Sequence, residues 1–191
     1  MYLERWPEAR DMFERSLQIK PNYAAYSNLG SLYFFQEARY QDAAQMYEKA
    51  LEFNNRDYRV WGSLASAYYW APEERPKASA NYKRAAQMAE EQLKVNPNDA
   101  SVLSHLADFY AMLGEKDKAL QFLEKSLDLA PNDAEVMARA GETYEQLGQR
   151  EKALEWIGKA LKKGYPLATL ERNPGLRELR TDPRFKSLTQ K

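Results

Sequence analysis

The chain has one histidine among its 191 residues. Ser101, His105 and Asp108 fall at i, i+4 and i+7, the residue types of a nucleophile, a base and an orienting carboxylate. On one helix, however, three such side chains leave the same face side by side rather than converging, and no glycine-rich elbow or oxyanion donor lies near them. The spacing reads as a polar helix face. A single histidine with a single aspartate also falls short of a metal ligand set, so no metal site is expected. Glu142 and Glu145 form a second candidate pair. General acid catalysis would require one of them to be desolvated, and the segment GETYEQLGQR reads instead as a solvated face. Neither a G-x-x-x-x-G-K-S/T phosphate loop nor a G-x-G-x-x-G turn occurs, and the glycines of LGEKD and LGQRE have the placement of left-handed helix caps. The expectation is a protein that is not an enzyme and needs no cofactor.

Charge and composition narrow the classes further. Lys and Arg number 28 and Asp and Glu 28, so the chain carries no general attraction for nucleic acid or for an acidic membrane. Neither is expected as a partner. An apolar content of 44% with 13% aromatics supports a folded core. The absence of cysteine removes thiol chemistry, disulfides and thiolate metal sites, and makes the cytoplasm the default compartment. No run of about 18 apolar residues is present, and the start MYLERWPEARD lacks the apolar centre of a signal peptide. One asymmetry stands out: residues 150–191 hold 11 basic against 5 acidic side chains, a pattern read as a soluble surface.

The elements that would carry these side chains follow from self-similarity. SLQIKPNY, ALEFNNRD, QLKVNPND and SLDLAPND recur with Pro21, Asn55, Pro97 and Pro131 in register, at separations of 34, 42 and 34 residues. Between them, apolar stripes such as Leu103, Leu106, Ala107 and Tyr110 have helical spacing, and a second stripe, Ala119, Leu123, Ser126 and Leu127, follows each break. Each unit is a pair of antiparallel helices. Small residues (Gly30, Ala65, Ala107, Gly141) alternate with Tyr33, Tyr68, Tyr110 and Tyr144, which allows close helix approach. The prolines punctuate the ends of second helices.

With these positions in view the chain resembles the tetratricopeptide repeat family. The family's pattern of a large residue, Leu-Gly, Tyr, Ala, aromatic, Ala and Pro is carried by Tyr26, Leu29-Gly30, Tyr33, Ala43, Tyr47 and Ala50 in the first full unit. Trp61, Leu64-Ala65, Tyr68, Ala78, Tyr82 and Ala85 carry it in the second. Leu103, Leu106-Ala107, Tyr110, Ala119, Leu123, Ser126 and Pro131 follow, then Met137, Ala140-Gly141, Tyr144, Ala153, Ile157 and Ala160. The resemblance implies an all-α, right-handed solenoid of stacked antiparallel hairpins. Its expected divisions are a lone second helix at 1–22, units at 23–56, 57–98, 99–132 and 133–166, and a helical cap at 167–191.

The second unit departs from the pattern. The segment from Lys77 to Val95 is seven residues longer than its counterparts, which adds two turns while rotating the apolar stripe by only about 20°. One long helix is expected there, its stripe running through Ala78, Tyr82, Ala85, Ala89 and Leu93. Residues 2–21 match only the second half of a repeat, so the chain is expected to be a fragment of a longer array. At the other end, Asn173-Pro174 and Asp182-Pro183 read as helix starts, with Leu176, Leu179, Phe185 and Leu188 as apolar contacts. This closing run is similar to those of helical-repeat regions in large bacterial signalling proteins.

The family resemblance places the first helices on a concave wall, and it then implies a peptide or protein partner in the groove. The candidate lining is Phe34, Phe35, Arg59, Ser66, Tyr69, Trp70, Asp108, Met112 and Glu142, aromatic toward the amino end and acidic toward the carboxyl end. Such a wall suits a peptide with an apolar anchor followed by basic residues. The basic clamp of chaperone-binding members is not reproduced, because Ser27, Ser31, Ser63 and Ser101 stand at its sites and only Arg139 matches. The alternative function is self-association through the truncated first hairpin, giving a homo-oligomer.

Overall fold

The computed structural model describes residues 5–189, and every regular element among them is helical. The chain divides into two compact units between Met88 and Ala89. The first contains α1 (Trp6–Ile19), α2 (Tyr23–Phe35), α3 (Tyr40–Phe53), α4 (Tyr58–Trp70), a 3-10 turn at Arg75–Lys77 and the start of α5 (Ala78–Val95). The second holds the rest of α5, then α6 (Ala100–Met112), α7 (Lys116–Leu129), α8 (Ala134–Gln146) and α9 (Arg150–Lys162). It closes with α10 (Leu167–Arg172), a 3-10 turn at Pro174–Leu176, α11 (Arg177–Thr181) and α12 (Pro183–Thr189). The pairs α2/α3, α6/α7 and α8/α9 pack as antiparallel hairpins, the all-α architecture the repeat implied.

Local chemistry sets where the helices begin. Asn22, Asp57, Asp99 and Asp133 lie at the starts of α2, α4, α6 and α8, and each side chain accepts a backbone N–H of the first turn. Such caps stabilise a helix end by about 1 kcal/mol. The second helices α3, α7 and α9 have no side-chain cap and follow tight turns instead. In two of these turns Gly114 (φ 79°) and Gly148 (φ 71°) take the left-handed conformation expected of LGEKD and LGQRE.

Packing between paired helices depends on a small residue facing a large one. A Cβ on Gly30 would stand 2.8 Å from the Tyr47 ring, and one on Gly141 2.5 Å from Ile157. Ala65 and Ala107 do the same work and are fully buried, as are Leu123 and Ile157. The lengthened helix α5 is one helix of 18 residues, with Ala78, Tyr82, Ala85 and Ala89 all buried. Its seven added residues keep the helical phase. Tyr68 donates to Glu48, and Tyr110 donates to Glu90 at 2.5 Å, each partner 20 residues upstream. Glu48 is five residues past Ala43, and Glu90 is twelve past Ala78, so the added heptad returns the carboxylate to the same face.

The cap is held by the residues read as its contacts. Leu170, Leu176, Leu179 and Phe185 are buried, and Leu188 rests on Gly158. Asn173 accepts from the Gly175 N–H and Asp182 from the Arg184 N–H, so both begin short helical turns. Two of the tail's arginines are engaged within the fold: Arg184 bonds both oxygens of Glu151 at 2.7 Å, and Arg150 pairs with Glu145, outside the basic run.

Candidate functional site

In the first unit, the end of α2, the start of α3 and the end of α4 bring five aromatic side chains into one row. Phe35 meets Phe34 edge-on at 4.8 Å, Phe34 meets Tyr40 at 5.2 Å, Tyr40 lies 6.2 Å from Trp70, and Trp70 meets Tyr69 edge-on at 5.4 Å. Edge-to-face pairs at these distances favour a rigid cluster. Phe34 is buried, whereas Phe35 is 38% exposed and Tyr69 and Trp70 are half-buried. The row therefore has an anchored root and an accessible surface. The Arg75 guanidinium stacks on Tyr69 at 4.2 Å and fixes that ring from one side. Trp70 also packs beside the proline-bearing turn, where a cleft of about 300 Å³ is lined by Tyr40, Trp70, Pro72 and the two glutamates that follow.

Other candidates in this unit lie apart from the row or are engaged. Arg59 sits in the first turn of α4, ten residues before Tyr69, about 15 Å along the helix. Its guanidinium is committed to Asp57, which also accepts the Tyr23 hydroxyl at 2.6 Å. Burial alone would raise the Asp57 carboxyl, but the hydrogen bonds from Arg59 and Tyr23 outweigh it and hold it low. Arg59 thus braces the start of α4. Ser66 shares a hydrogen bond of 2.9 Å with the hydroxyl of Tyr82, so its oxygen serves packing.

The second unit contains Asp108, Met112 and Glu142. Asp108 and Glu142 both lie within electrostatic reach of Arg139 and of each other. The 142/145 pair does not lie on a fully solvated face: Glu142 is half-buried and Glu145 is engaged. Burial pushes the Glu142 carboxyl up to about 7, against the opposing charge of Arg139 and the side-chain amide of Asn173; Asp108 and Glu135 push it further. Burial likewise raises Asp108, with Arg139 opposing. Asn173 and Tyr165, from the segment after α9, both interact with Glu142. Glu145, 8% exposed, is paired with Arg150. His105 turns Nδ1 to the carbonyl of Ser101 at 2.8 Å, and that contact involves no serine hydroxyl. Met112 is half-buried.

Sequence reasoning missed Tyr40, which joins the two halves of the aromatic row. Counting back from the repeated alanines, the same register holds Arg75, Lys116 and Arg150. An aromatic in a position otherwise basic was the available signal.

Tandem helical hairpins that display side chains from their first helices and turns define the helical-repeat class of protein. Tetratricopeptide repeat models match residues 1–58, 77–136 and 117–166. These segments span well over half of the sequence, and the chain belongs to the tetratricopeptide repeat family, whose members are generally non-enzymatic scaffolds for protein interaction. Among solved structures it is similar to TTC0263, a thermophilic TPR protein of Thermus thermophilus. The identity is 25% and the TM-score 0.61, covering 98% of this chain and 92% of that one. YrrB, described as a TPR protein with an unusual peptide-binding site, shares 26% identity over 88% of this chain and 84% of its own, with a TM-score of 0.47. MamA shares 22% identity over 85% of this chain and 96% of its own, also at 0.47. No curated protein matches the sequence. Among the described residues no helix is long and apolar enough to cross a membrane.

Proposed function

We propose that this protein is a cytoplasmic, non-enzymatic scaffold that holds a peptide segment of a partner protein on the aromatic row of its first unit. The observation that carries this reading is the row itself, rooted by buried Phe34 and ending in the accessible rings of Phe35, Tyr69 and Trp70. Preordered aromatic surface offers apolar contact at little entropic cost, which is how anchor residues gain affinity. A signalling or assembly setting is supported by the resemblance of the closing sequence run alone.

A peptide-display selection against the whole chain tests the proposal, counter-screened with Tyr69→Ala/Trp70→Ala checked for native helicity. The expected result is an enriched motif with an apolar anchor that the double variant fails to retain. Enrichment indifferent to those two rings would overturn it. A second reading, self-association, is favoured by one observation: Met12 and Ile19 of α1 are 69% and 87% exposed, and no residue of that helix is buried. A mass that rises with concentration by sedimentation would select it.

A further inference from the structure

The cleft beside Trp70 has a chemistry of its own. Its walls are the rings of Tyr40 and Trp70, inclined at 37°, and Gln41, Glu73 and Glu74 stand around it. None of its lining residues is basic. Glu73 is exposed and forms no ion pair among the described residues, while Glu74 is half-buried and paired with Lys77. Of the nearby cations, Arg75 lies over Tyr69 and Arg39 over Tyr33 at 4.3 Å while bonded to Glu37 and Asp42; Lys77, over Tyr68 at 5.2 Å, is the one that pairs with the cleft, through Glu74, which leaves Glu73 as its carboxylate without an ion pair among the described residues. Aromatic walls with two carboxylates and no basic residue in the lining are complementary to a flat positive ion.

We propose that this cleft accepts the guanidinium of an arginine in the partner peptide, laid against Trp70 and Tyr40 with its N–H groups donating to Glu73 and Glu74. The proposal rests on the peptide-scaffold reading and adds to it the charge of the residue beside the anchor. Ring faces attract cations through their quadrupole, and a guanidinium adds a planar fork that a carboxylate accepts in bidentate fashion. The same unit already seats two guanidinium groups on tyrosine rings, Arg39 and Arg75. A volume of about 300 Å³ is at the small end of ligand sites, suited to one long side chain and not to a folded element. Trp70 lies 5.4 Å from Tyr69, so a partner residue one or two positions from an anchor on Tyr69 reaches the cleft at about 3.5 Å per residue.

The test uses the full chain at low salt, with the indole N–H resonance of Trp70 assigned through Trp70→Phe. N-acetyl-arginine amide, added to about 50 mM, is expected to shift that resonance. N-acetyl-citrulline amide, of the same shape without the charge, should leave it in place, and Glu73→Gln should weaken the arginine response at least threefold. An equal shift with citrulline, no shift with arginine, or a response unchanged in Glu73→Gln overturns the site. The two readings fail separately. Selected peptides that depend on Trp70 but lack arginine would remove the guanidinium site and leave the scaffold standing. An arginine-specific shift without any enriched peptide would keep the cleft and remove the peptide anchor.

Discussion

The two units solve one packing problem with different chemistry. In the first, the second-helix position that faces the small residue is tyrosine, Tyr47 opposite Gly30 and Tyr82 opposite Ala65; in the second it is Leu123 near Ala107 and Ile157 opposite Gly141. A buried ring brings a hydroxyl that must find a partner. It finds one next to the small residue: Tyr47 donates to Ser31 at 3.1 Å, and Tyr82 shares its hydrogen bond with Ser66. Where the filler is aliphatic, that neighbouring position is Asp108 or Glu142, each within electrostatic reach of Arg139, which is itself paired with Glu135 at 3.2 Å. The register demands bulk against a small residue, and the adjacent side chain then follows from whether that bulk is polar. Ser31 and Ser66, which looked like groove chemistry, have hydroxyls that serve the buried tyrosines.

The largest expected effect that sharpens this contrast lies in the second unit. Because burial raises the Glu142 carboxyl from its usual range to about 7, the folded state holds that proton more tightly than the unfolded state does. Stability is therefore lost as pH rises from about 4 to about 7, and the loss is complete above that. Glu142→Gln removes the ionisation. The variant should match the wild type near pH 4 and be more stable at pH 8 by on the order of 2 kcal/mol, read from denaturant midpoints at several pH values. A difference that does not change with pH would contradict the buried-carboxyl account.

A smaller effect is expected in the first unit. Burial pushes the Tyr47 hydroxyl up to about 12, and Ser31 and Ser63 are its partners. Since Ser31 also donates to the Ser27 carbonyl, Tyr47→Phe strands no buried group. The cost should be about 1 kcal/mol, or roughly 2–4 °C in thermal melting for a chain of this size. A loss several times larger would mean that the hydroxyl holds more of the hairpin than a hydrogen bond to serine accounts for.

Much of this was legible in the chain. Alternating small and large residues, cap residues after each break and the added heptad all report local geometry, and local geometry repeats. The compensated exchange in the first hairpin shows how far such reading can go. Lys77, Lys118 and Lys152 lie over Tyr68, Tyr110 and Tyr144, and where that register holds Asp42 the cation over Tyr33 comes from Arg39, three residues earlier and bonded to Asp42. The partial burial of Glu142 was not legible, because Tyr165 and Asn173, which interact with it, come from a segment outside the repeat. Phe34, Phe35, Tyr69 and Trp70 were legible as aromatic wall, but their joining into one row was not, because it depends on Tyr40 at the start of one helix meeting Trp70 at the end of another. Contacts between repeats follow from the register only where every repeat uses the same residue types.

The central claim is that the first unit presents the binding surface while the acidic positions of the second serve its own packing. It is tested most directly by measuring the affinity of one selected peptide for three proteins: the wild type, Tyr69→Ala/Trp70→Ala and Asp108→Asn/Glu142→Gln. The account predicts at least a tenfold loss in the first variant and a change of less than twofold in the second. Retained binding in the first with a tenfold loss in the second would contradict it.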